Sequence, residues 1–215
     1  MRRRIAELFK LQFPTLSLAK INEIADKWCQ DSFRDALKEI EILEKGWGPL
    51  GIWSAKYEER LFSFHYPKKY DDIYREFKYV YMDLLTQDPA KPRVTRDIVL
   101  DSTMHVENCL KIFCKRNGLR NYEKKWIVPL VRLLGTRMGS NLRDRLILLG
   151  TEVSNPSKHK FDVGADRPLF SAADAIATYL CCRIIGYELL SLCGEIPRII
   201  KSCKNGPYLG IDIYL

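Results

Sequence analysis

Leu142, Leu146, Leu149 and Val153 recur at i, i+4, i+7 and i+11, and a period near 3.6 runs through most of the chain. It links Leu18, Ile21, Ile24, Ala25 and Trp28, then Phe33, Leu37, Ile40 and Leu43, and later Ile73, Phe77, Val80, Tyr81 and Leu84. No β-α-β alternation interrupts it. A chain patterned this way has to bury its stripes helix against helix, so the expected class is all-α.

Punctuation residues divide the pattern. Helices, or one bent helix, from residue 18 end at Gly46, and residues 47 to 69 read as aromatic and irregular. Asp88-Pro-Ala-Lys-Pro-Arg93 is the strongest internal break. Beyond it, Thr95 is placed to cap a helix running to about Asn117, with Val99, Val106, Leu110 and Phe113 on one face and Gly118 as the stop. A helix over about 122 to 134 contains Pro129, which marks either a kink or a later start. Gly135 and Gly139 bracket a turn, and Asn141 with Asp144 opens a helix that should end before Pro156. Ser171-Ala-Ala-Asp174 is a capping box for a final helix to about Cys193, whose low charge predicts burial on most sides. The tail from Asn205 alternates like a short strand. The expected organisation is a helical N-terminal region over 1–93, a helical bundle over 94–197 and a tail over 198–215.

Several function classes fall away. Ala172 to Cys193 is interrupted by Asp174, Arg183 and Glu188, so no bilayer span and no membrane partner is expected. Seven cysteines, without a C-x-x-C pair, read as reduced core thiols and point to a cytoplasmic location. The basic start is broken by Glu7, Lys10 and Gln12, which no secretion signal tolerates. Three histidines and no thiolate pairs at ligand spacing leave no metal set, and no cofactor is expected. Gly46-Trp-Gly-Pro-Leu-Gly51 matches G-x-G-x-x-G, but helical residues precede it and Pro49 lacks a donor N–H, so a dinucleotide loop does not follow.

Thirty-five Lys and Arg against 27 Asp and Glu give a net charge of +8. That bias favours a polyanion such as RNA, and it also suits an ordinary solvated surface. The cations cluster in Arg2 to Arg4, Lys115 to Lys125, Arg132 to Arg145 and Lys158 to Lys160.

Asn155-Pro-Ser-Lys-His159 lies between two helices of a four-helix pattern, with Glu107 and Lys111 in the first of the four and Leu169-Phe-Ser-Ala-Ala-Asp-Ala leading into the last. Asn155-x-x-x-His159 in this setting resembles the signature of the HEPN superfamily, over roughly residues 95 to 195. The resemblance implies a HEPN-like helical bundle, RNA association, and a homodimer whose subunits face each other. It also implies metal-independent endoribonuclease chemistry, with His159 handling a proton beside Asn155. Lys158, Lys160, Arg143 and Arg145 are the cations nearest the motif in sequence and the expected RNA-binding set. His159 equally suits a hydrogen bond to a loop carbonyl, and Arg145 a plain ion pair.

One departure from the family matters. Its catalytic Arg would fall at position 154, where this chain has Ser154, and Pro156 replaces a residue that normally continues the helix. Family members lacking the Arg are often binding or scaffold modules. Two expectations therefore stand side by side. One is a HEPN-like RNA-associated protein of stress or defence, either an endoribonuclease or a degenerate form of one. The other is a non-enzymatic dimerising interaction or nucleotide-binding module.

Overall fold

In a computed structural model, residues 1–14, 16–30, 80, 83–84, 86–158 and 170–193 are described, and every regular element among them is helical. The expectations for residues 47–69, for most of 70–86 and for the strand-like tail lie outside the described residues. Val80 and Leu84 are described; they are helical and buried.

α1 (Arg3–Gln12) forms because Ile5, Leu8, Phe9 and Gln12 fall on one face and are all buried. Arg3, Glu7 and Lys10, on the opposite side, are the polar face of this helix. α2 (Leu18–Gln30) repeats the design with Ile21, Ile24, Ala25 and Trp28.

α3 (Pro92–Arg116) starts three residues before the expected cap at Thr95. Pro92 sits in its first turn, where a missing N–H is no loss and a fixed φ favours the helix. Thr95 is thereby released from capping, and its buried hydroxyl donates to the Phe170 carbonyl at 2.8 Å. Gly118 ends α3 as expected. It takes φ +67°, its N–H donates to the Lys115 carbonyl, and the Leu119 N–H donates to the Cys114 carbonyl, which together make a Schellman motif.

α4 (Ile127–Leu134) resolves the role of Pro129 in favour of a later start, because the proline occupies the first turn, where no intrahelical donor is needed. α5 (Ser140–Leu149) carries the expected stripe, and Leu142, Leu146, Leu149 and Val153 are all buried. After the short helical turn α6 (Asn155–Lys158), α7 (Ala172–Leu192) begins with the predicted capping box. The Ser171 N–H and hydroxyl donate to Asp174 Oδ2 at 2.9 and 2.8 Å, and the Asp174 N–H returns to Ser171 Oγ at 3.2 Å.

α7 is the central helix. It packs mainly along α3 and also touches α1 and α2, so every side of its first four turns contributes buried residues. α3 and α7 run in the same direction: Thr95 meets Phe170 at one end, and Gly186 meets His105 towards the other. A methyl group on Gly186 would lie 2.5 Å from His105 Nε2, so the glycine is what lets the ring settle between the helices. His105 is accordingly a core residue, with Nε2 3.8 Å from Cys109 Sγ.

Candidate functional site

The segment bearing the motif remains helical. After Leu149 the helix widens into a π turn over Gly150–Ser154 and closes again as α6 (Asn155–Lys158). The Asn155 N–H donates to the Gly150 carbonyl, five residues back instead of four. The widening immediately precedes Pro156, which has no N–H to donate and whose ring crowds the carbonyl four residues earlier. The expected end before Pro156 is thus corrected: the π turn rearranges the bonding, and the helix continues through the proline.

This turn is packed against the start of α4. A Cβ on Gly150 would come within 2.6 Å of Val128 Cγ2 and 3.1 Å of Ile127 Cγ2. The bare backbone draws α4 close, and with it Trp126, the residue just before the helix. Lys158, at the far end of the turn, reaches that indole with Nζ 4.6 Å from the ring centroid. The same ammonium is 2.8 Å from Glu107 Oε2, while Lys111 Nζ lies 2.9 Å from Glu107 Oε1. One carboxylate on α3 therefore holds two ammonium groups, one from its own helix and one from the motif segment. Arg96 Nε donates to the Ser157 carbonyl at 3.0 Å, and Ser157 Oγ donates to the Ser154 carbonyl at 2.8 Å, tying the segment to α3 a second time.

The residues picked out by sequence separate into different environments. Asn155 is helical and partly exposed at the first position of α6. Ser154 is 1% exposed, and its hydroxyl has no hydrogen-bond partner among the described residues. Arg143 lies on the surface of α5, with Nε 3.7 Å from Asp144. Arg145 faces inward, which removes it from any RNA-facing set: its guanidinium is buried and bonded to Glu188, Gln12 and Asn141. The reason is its place on the same stripe as Leu142, Leu146 and Leu149, where only an arginine with carboxylate and amide partners is tolerated. His159 and Lys160 lie outside the described residues.

Two features of the site escape a reading of the sequence. Trp126 was identifiable only as the aromatic that ends the basic run Arg120, Lys124, Lys125. The Glu107–Lys158 pair joins residues 51 apart, and no local spacing announces it. Cys181 and Cys182, in the middle of α7, offer no competing chemistry. Burial pushes the Cys181 and Cys182 thiols far up, so they are neutral at physiological pH and poor nucleophiles. Among the described residues no group of three His, Cys, Asp or Glu is placed to hold a metal ion, and no helix is long and apolar enough to cross a membrane.

The fold and the site together define an all-α helical bundle with an exposed aromatic and cationic corner at the end of a π-interrupted helix. No protein-family model, curated protein or solved structure matches the chain.

Proposed function

We propose that this chain is a HEPN-like, homodimeric RNA-associated module that holds RNA without cutting it, a degenerate form of the metal-independent endoribonucleases. The observation that carries this reading is Ser154. Where the resemblance expects a catalytic guanidinium, a neutral hydroxyl is buried in the bundle. A buried serine supplies no charge to a phosphorane, and charge stabilisation is the largest part of such catalysis. Arg145, two turns and more away, does not replace it, because its donors are bonded within the core. RNA association is supported by the net charge of +8 and by the exposed Lys115, Arg116, Arg120, Lys124, Arg132 and Arg137.

The test is RNA binding across a salt series, with a cleavage assay in EDTA on the same samples. The expected result is binding that weakens linearly in log–log form with salt, as Lys and Arg release condensed counterions, and no cleavage. EDTA-resistant cleavage that disappears in His159→Ala would replace the binding module with an active endoribonuclease. RNA binding that is absent at low salt would favour the second reading, a protein-interaction module. That reading draws on two exposed leucines, Leu11 and Leu192, which are 58% and 56% accessible.

A further inference from the structure

Trp126 is an odd residue for its position. It occupies the N-cap of α4, where Ser, Thr, Asp or Asn would bind the free N–H groups, and it makes no side-chain cap bond. Half of it is exposed, although the bundle buries Phe9, Phe13, Trp28, Phe113 and Phe170. The indole thus serves neither the helix end nor, for half its surface, the core.

Its surroundings are cationic. Lys158 stands over the ring, Lys111 shares a carboxylate with Lys158, and Arg120 and Lys124 are exposed on the loop leading to it. Two ammonium groups against the single carboxylate of Glu107 give this trio a net positive charge, and Arg120, Lys124 and Lys125 outnumber Glu123 on the adjoining loop. A flat π face beside excess positive charge matches a nucleotide: an apolar base with a phosphate attached. Duplex RNA keeps its base faces stacked inside the helix, so only an unpaired base presents a face to the ring.

Resting on the RNA reading above, we infer that Trp126 is the stacking platform for an unpaired RNA base, with Lys158 as its movable cover. The incoming base takes the place of Lys158 over the indole, and Lys158 swings to the neighbouring phosphate. Glu107 opposes that movement by holding Lys158 down. It sets how readily the platform opens and so tunes affinity for single strands.

The experiment compares a short unstructured RNA oligonucleotide with the same strand annealed to its complement, at low salt, on wild type, Trp126→Ala, Trp126→Phe and Glu107→Gln. Wild type should prefer the single strand. Trp126→Ala should weaken single-strand binding about tenfold or more while leaving duplex binding unchanged, and Trp126→Phe should keep most of it. Glu107→Gln should bind the single strand more tightly and with a steeper salt dependence, because an isosteric amide releases Lys158 without emptying the site. The indole N–H resonance missing from Trp126→Phe identifies Trp126 in the wild-type spectrum, and it should shift on adding the single strand but not the duplex. This readout does not require Trp126→Ala to fold. Equal binding of Trp126→Ala and wild type, or an unmoved indole resonance in a complex that forms, overturns the platform and leaves the RNA reading standing. No binding of either RNA to wild type removes both.

Discussion

Arg145 and Glu188 meet inside the bundle, with Nη2 3.0 and 2.8 Å from the two carboxylate oxygens, although 43 residues separate them in sequence. The same guanidinium reaches Gln12 on α1 and Asn141 on its own helix, so one side chain joins α1, α5 and α7. Removing one partner of such a buried pair leaves a charge without compensation. Arg145→Met should therefore lower the free energy of unfolding by about 3–5 kcal/mol in urea denaturation. Adding Glu188→Leu should recover much of the loss, because an apolar pair needs no desolvation of charge. A double variant as unstable as the single one would show that the pair does more than neutralise itself.

Asp174 serves two ends of the chain. It completes the capping box with Ser171 and also accepts the Arg2 backbone N–H at 2.6 Å, while the Arg2 guanidinium lies 5.0 Å over the Phe170 ring. Asp174→Ala should cost about 1–2 kcal/mol and speed hydrogen exchange at both the first turn of α7 and the start of α1. Protection lost in α7 alone would mean that the contact to Arg2 contributes nothing.

Gly186→Ala places a methyl group 2.5 Å from His105 Nε2 and 3.5 Å from Cys109 Sγ, both buried. The expected loss is about 1–3 kcal/mol from overpacking. In a double-mutant cycle with His105→Ala, the cost of Gly186→Ala should fall, since the clashing ring is gone. Additive costs in that cycle would place the strain elsewhere.

Burial raises the Cys114 and Cys193 thiols from the ordinary 9.0 to about 11. The unfolded chain ionises these thiols at lower pH than the native one does, so raising the pH through that range favours the unfolded state. Their contribution to stability is complete below pH 9 and is lost as the pH rises from about 9 towards 11. Urea midpoints should fall over that window, and the fall should be shallower in Cys114→Ala. A midpoint independent of pH there would contradict the burial of these thiols. At neutral pH a thiol reagent should label exposed Cys29 well before Cys109, Cys181 or Cys182, which are buried.

Local features were legible wherever a residue and its neighbours within a turn or two decide the outcome. The stripe from Leu142 to Val153, the Gly118 stop and the Ser171–Asp174 box all depend on helix geometry and on hydrogen bonds spanning three to five residues. Prolines were read less well, for one reason: whether a proline ends a helix depends on where the helix begins. Pro92 and Pro129 sit in first turns, where the missing donor is harmless. Pro156 is accommodated by a π turn that no residue type by itself specifies.

Sequence by itself determined the all-α class of the described residues, the Gly118 stop, the Ser171–Asp174 capping box and the net positive charge, because periodicity, capping chemistry and charge are local or additive. Only the tertiary structure decided which charges meet. Arg145 turned inward to Glu188, Lys158 came to rest between Glu107 and Trp126, and Ser154 was buried. Each outcome depends on how helices distant in sequence pack, and on a bare Gly150 letting α4 approach the motif segment. The desolvation of a charge, unlike its presence, is a property of that packing.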